Sequence, residues 1–269
     1  MLMKLLKYDF RSMLRAFIPL WIAFIAASLI NGFTIRALDS GLDVAGNVIS
    51  GITMFMYMGL MIGINVVGLV LLIQRFYNGL LRDEGYLMFT LPVKPRDHVL
   101  SKGIVSTVII IVNATISVGS VVILAGVKEI SDLIGAAYEH LLLRGLNPGA
   151  VISLSLLLLL VTVIANVYQI YASMAIGHLF NSRRVAFSVG AYLAISVASS
   201  TIGSIIPYVF SRTEAFSPFM NSIMGLLYGA GYVDSLWSIY GVFIAAALLQ
   251  LVAFFITTER ILTKKLNLE

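Results

Sequence analysis

Six long stretches of this chain contain no Asp, Glu, Lys or Arg, and no other feature constrains its fold as strongly. They cover 16–35, 44–74, 103–127, 145–182, 185–211 and 235–258, with lengths of 20, 31, 25, 38, 27 and 24 residues. About 20 apolar residues suffice to cross the hydrocarbon core of a bilayer as a helix. The expected fold is therefore all-α: a polytopic membrane protein with six transmembrane helices at about 17–33, 52–73, 104–127, 151–178, 185–206 and 237–257.

Composition narrows the function classes. The chain is 59% hydrophobic and only 12% charged, where a soluble domain carries roughly 25% charged residues; its mean hydropathy is +0.98. Six spans and their loops use nearly all of the 269 residues as a single transmembrane domain, leaving no room for a soluble catalytic domain. There is no cysteine, so disulfides, thiolate metal sites and cysteine nucleophiles are excluded. The pI near 9.4 is a topology signal and not a nucleic-acid footprint. Fourteen of the 18 Lys and Arg residues fall at the two termini and in the loops after spans two and four, and four fall in the alternate loops. The positive-inside rule then places both termini in the cytoplasm. The basic N-terminus lacks the short apolar core and cleavage site of a signal peptide, so the first apolar stretch reads as a retained span.

Along the chain, residues 1–15 read as an amphipathic interfacial helix. Lys4, Lys7, Arg11 and Arg15 share one face and would lie against anionic headgroups; a charged overhang of the first span is the alternative. Pro19 is expected in the first turn of span one, where a missing N–H costs little. Gly59 and Gly63 form a GxxxG spacing in span two, a candidate subunit contact. Residues 74–102 form the large cytoplasmic loop, with a new helix starting near Pro95. Residues 128–149 read as a short outer-surface helix closed by a Gly/Pro turn. Pro207 is expected to stop span five. Residues 215–233 are charge-free but carry Pro218, Gly225, Gly229 and Gly231. A seventh span there would move the basic C-terminus outside, so this stretch reads as an outer re-entrant element between spans five and six. Trp237 and Tyr240 are placed as interface anchors.

Chemistry is sparse. His98, His140 and His178 have no metal-ligand spacing, no acid lies in the spans to serve an intramembrane protease, and no GxSxG or GxxxxGK[ST] motif occurs. No catalytic residue, metal or cofactor is assigned to this chain, and nucleic acid is not an expected partner. The span amides Asn65, Asn113, Asn166, Gln169 and Gln250 suit helix–helix hydrogen bonds. Asn166 and Gln169, three apart, are the candidates for lining a polar path.

The loop carries the most information. Its charge cluster Arg82, Asp83 and Glu84 is followed by Gly85 and the apolar run Tyr86, Leu87, Met88 and Phe89. Apolar surface rimmed by charge marks a protein interface; the headgroup layer could cover it equally well. The segment DEGYLMFTLPV at 83–93, between spans two and three of a six-span chain, resembles permease subunits of the ABC type-2 transporter family of Gram-positive bacteria. The opening MLMKLLKYDF at 1–10 is also similar to theirs. The resemblance implies a bacterial plasma-membrane exporter. Residues 1–15 would be an N-terminal connecting helix, and 215–233 the folded-back outer element. The coupling element would comprise Asp83, Glu84, Gly85, Tyr86, Leu87, Phe89, Thr90, Leu91 and Pro92, docked on separate ABC ATPase subunits that hold ATP and magnesium. A second permease subunit, identical or related, would complete the assembly. A chain with no ionisable group in its spans must borrow its drive, which agrees with this reading. The alternatives are a secondary transporter, which would use backbone and Asn or Ser oxygens for sodium, and a non-transporting scaffold or sensor.

Overall fold

The computed structural model describes residues 2–38, 44–81, 95–180, 183–210 and 233–264. These form helices α1 (Leu2–Leu38), α2 (Val44–Phe76), a single π-helical turn (Tyr77–Leu81), α3 (Pro95–Ala125), α4 (Val127–Leu143), α5 (Pro148–Gly177), α6 (Arg184–Phe210) and α7 (Val233–Lys264). No strand occurs among the described residues. Six helices (all but α4) are long and apolar enough to cross a membrane. The chain is an all-α polytopic membrane protein. The coupling residues Asp83, Glu84, Gly85, Tyr86, Leu87, Phe89, Thr90, Leu91 and Pro92 lie outside the described residues, as does the expected re-entrant element 215–233 except for Val233.

Three boundaries differ from expectation. No break separates residues 1–15 from the first span: α1 is one helix of 37 residues, about 55 Å long at 1.5 Å per residue. The reason is a single buried stripe made by Asp9, Met13, Phe17, Trp21, Phe24, Ser28 and Asn31. Their spacings of three and four keep one helical face in phase across the expected junction. Pro19 consequently sits inside the helix and not in a first turn; its missing N–H leaves the Arg15 carbonyl without its helical donor. Pro207 likewise does not stop α6, whose backbone runs on to Phe210. Helix α3 starts at Pro95, as read. Two features were not foreseen: Gly126, at φ +105, lies within the expected span 104–127 and instead separates α3 from α4, and the Asn147 side chain caps α5 by accepting from Gly149 N and Ala150 N.

The chain divides into two compact units, Met1–Phe76 with Leu100–Gly135, and Tyr77–Val99 with Ala136–Glu269. In the first, α1 runs antiparallel to α2 and parallel to α3, and polar bonds fix the register. Trp21 Nε1 donates to Asn113 Oδ1 at 3.1 Å, and Asn113 Nδ2 donates to Asn65 Oδ1 at 2.9 Å, so one amide joins three helices. Further along, Tyr57 stacks on Phe24 and its hydroxyl meets Ser120 Oγ at 2.6 Å. Asn31 Nδ2 donates to Thr53 O at 2.8 Å, and Arg36 Nη2 to Ile123 O at 3.0 Å. In the second unit, α5 packs on α7 through Tyr168 against Phe255 and Ser155 Oγ against the Tyr240 hydroxyl at 2.6 Å. It packs on α6 through Gln169 Nε2 donating to Ser196 Oγ at 2.8 Å. At the α5–α6 turn, Gly177 lets the two backbones close: a Cβ there would overlap Ser188.

Candidate functional site

The strongest polar constellation among the described residues lies where α1, α2 and α3 end together in the first unit. Asp9 is 6% exposed. Its Oδ1 receives Arg75 Nη2 at 3.0 Å and faces Lys102 Nζ at 3.6 Å, and its Oδ2 accepts from Ser101 Oγ at 2.9 Å. The Lys102 side chain is 4% exposed and that of Arg75 35%. The α1–α3 register places these groups together, because Asp9 and Ser101 are offset by 92 residues, as are Trp21 and Asn113. Arg75 and Lys102 each abut a charge-free stretch, and Asp9 precedes one by seven residues, about 10 Å along a helix. The cluster therefore sits at the rim of the apolar slab.

The physical content of this arrangement is a clamp. A carboxylate withdrawn from water is stable only if cations and donors satisfy it. Here one carboxylate satisfies that need from three residues on two other helices. The helix it belongs to is thereby fixed to the last residues of α2 and the second turn of α3, which are the stems of the 82–94 segment.

Sequence reasoning counted Arg75 and Lys102 only as topology charges and passed over Asp9. The available signal was that Asp9 is the lone acid among four bases in 1–15 and stands four residues before Met13 and eight before Phe17, in phase with the apolar stripe. Lys4, Lys7, Arg11 and Arg15 are exposed on the opposite side of α1, as a membrane-surface or solvent face requires.

The paired path residues do not stay together. Gln169 is buried and donates to Ser196, so it joins helices. Asn166 is exposed and makes no hydrogen bond among the described residues. Three residues correspond to 60° around a helix, and α6 covers one position but not the other. Gly59 is exposed and Gly63 half-buried, and no neighbouring side chain lies within 4 Å of a Cβ built at either. Their face is open among the described residues of the first unit. His178 is the first residue beyond α5; its ring packs on Tyr77 at 5.1 Å. Burial, and then the positive charge of Arg184, hold its pKa below the ordinary histidine value.

No family model, curated protein or solved structure matches the chain. What fold and site define is an all-α polytopic membrane protein, with six helices among the described residues long and apolar enough to span a bilayer, whose N-terminal helix is clamped by charge to Arg75 at the end of α2 and to Ser101 and Lys102 near the start of α3.

Proposed function

We propose that this chain is the permease subunit of an ABC-type exporter in a bacterial plasma membrane, with both termini cytoplasmic, and that separate ATPase subunits drive it through the loop around 83–93. The observation that carries the reading is the Asp9 clamp. A push delivered to that loop must pass through its stems, and the stems share one buried carboxylate with α1. A rigid joint at that place converts movement of a loop into movement of a helix pair, as a two-state membrane element needs. The DEGYLMFTLPV segment and the charge-free spans support the same reading, since the chain carries no titratable relay within the bilayer. ATP and magnesium belong to the ATPase partner. A second permease copy or relative completes the assembly, for which the open Gly59 and Gly63 face is one candidate contact.

Co-expression with candidate ABC ATPase subunits and purification through a tag on either chain tests the proposal. A stable complex with ATPase activity is expected. Tyr86→Asp or Leu87→Asp should dissociate it without unfolding the permease. A complex and transport that survive both substitutions would overturn the assignment of the coupling loop.

A further inference from the structure

Helix α5 ends in a turn that holds its own backbone tightly. His178 caps the helix, and its N–H donates to Met174 O at 3.1 Å. The N–H groups of Leu179 and Phe180 then donate to Ile176 O at 3.0 Å and Gly177 O at 3.3 Å. The Phe180 ring stacks on Phe187 of α6 with centroids 4.2 Å apart. Gly177 lies so close to the Ser188 backbone that a Cβ would overlap it. The backbone of His178 is therefore fixed, and what remains free to change is its side-chain rotamer.

That side chain is half-buried and packs on the Tyr77 ring at 5.1 Å, within the same compact unit. Its Nε2 is buried and has no hydrogen-bond partner among the described residues. Tyr77 opens the π turn, a rare form of helix concentrated at functional sites. Gly79, Leu80 and Leu81 of that turn are buried, and the 82–94 segment follows it directly. Among the described residues, the titratable or charged groups set against the His178 ring are the Tyr77 phenol, from the π turn, and Arg184, the first residue of α6. Neither supplies a negative charge.

Such a place suits a neutral imidazole and opposes a charged one. A neutral ring leaves one nitrogen without a proton, whereas an imidazolium must donate from both. Protonation would put a charge and a donor where Nε2 meets no acceptor and Arg184 stands close by. A tyrosine face attracts a cation weakly, and burial together with Arg184 outweighs that attraction. We propose that His178 is a proton-sensitive latch on the π turn: neutral, it holds the turn through Tyr77; protonated, it swings out to water and lets the turn go. Histidine is the side chain suited to such a change near and just below neutral pH. The latch itself needs no ATPase. Its consequence for transport rests on the coupling reading above: the proposed coupling loop begins where the π turn ends, so acid on that side of the membrane would loosen the coupling element.

The chain has no cysteine, so Asn78→Cys, exposed on the π turn, carries a single trifluoromethyl label for fluorine NMR in lipid nanodiscs without any ATPase. The label signal should shift as the pH falls, with a midpoint below about 6.5. The His178 ring, followed by histidine-selective isotope labelling, should titrate with the same midpoint. His178→Gln and Tyr77→Leu should each abolish the shift of the label, and Tyr77→Phe should keep it. Arg184→Gln should move both midpoints upward, because a repelling charge is gone. His140→Gln, at an exposed position on α4, should change nothing. A label signal indifferent to pH, or a shift that survives His178→Gln or Tyr77→Leu, overturns the proposal. Should His178→Gln fail to fold, the parent chain decides: label and ring midpoints that differ, or midpoints that Arg184→Gln leaves in place, overturn it as well. Because no ATPase is present, failure here leaves the coupling reading to its own test, and loss of the coupling reading leaves the latch.

Discussion

Replacing Asp9 by Asn keeps the shape of the clamp and removes its charge. Lys102, 4% exposed, loses a carboxylate 3.6 Å from its Nζ. At an effective dielectric of about 20 that attraction is worth about 4 to 5 kcal/mol. Arg75 is 35% exposed, so solvent screens its share to about 1 kcal/mol or less. The asparagine retains a hydrogen bond to Ser101, which offsets part of the loss. The net expectation is a destabilisation of about 3–5 kcal/mol, the range for breaking one side of a buried pair. For a chain of this size that lowers the unfolding midpoint by about 10 °C. Thermal unfolding of purified protein in detergent, followed by circular dichroism and by tryptophan emission, measures it. Lys102→Met supplies the control for mechanism. If the cost of Asp9→Asn is the loss of the carboxylate that faces the buried ammonium, adding Lys102→Met to it should recover part of the lost stability, because removing both charges from a buried pair is close to neutral. A midpoint that moves by less than about 2 °C in Asp9→Asn would refute the clamp.

Three further outcomes follow from single residues. Gly177→Ala places a Cβ on the Ser188 backbone and should destabilise the α5–α6 turn by about 1–3 kcal/mol, read by the same unfolding assay. Asn113→Leu leaves Trp21 Nε1 and Asn65 without their shared amide; a loss of about 1–3 kcal/mol and a shift in tryptophan emission are expected. Because the folded-state pKa of His178 is depressed, its contribution to stability is present above the unfolded value of about 6.5 and is lost as pH falls below it. The unfolding midpoint should therefore drop as the pH falls below about 6.5, and His178→Gln should flatten that slope.

The six long apolar helices and the helix start at Pro95 were legible because they rest on local chemistry: charge-free length and proline at a helix start; the start at Pro148 under an Asn147 cap was missed, since 145–149 reads as a turn. What the sequence pattern hid was tertiary. Amphipathicity in residues 1–15 reads as a membrane-surface helix when that segment is taken alone. Extending the same stripe through Phe17 to Asn31 shows that its buried face continues the span, and Asp9 then falls on the packed side. Proline at 19 and at 207 was overvalued as a stop, since neighbouring turns and packing hold a helix through one missing N–H. Asn166 and Gln169 looked equivalent by spacing. Only the position of α6 separates them, and no periodicity within α5 encodes it.

The two units differ in how their mid-helix amides are placed. In the first, Asn113 joins Trp21 to Asn65, Asn31 Nδ2 reaches Thr53, and Asp9 is held from α2 and α3, although Asn31 Oδ1 is buried without a hydrogen-bond partner. These cross-helix bonds stiffen a three-helix body, because each would be lost to lipid if the helices parted. In the second, Gln169 donates to Ser196 across α5 and α6, while Asn166, three residues earlier, is exposed and bonds to no described residue. One mid-helix amide therefore ties three helices together, and another ties none among the described residues, so loss of Asn113 should cost stability where loss of Asn166 should not.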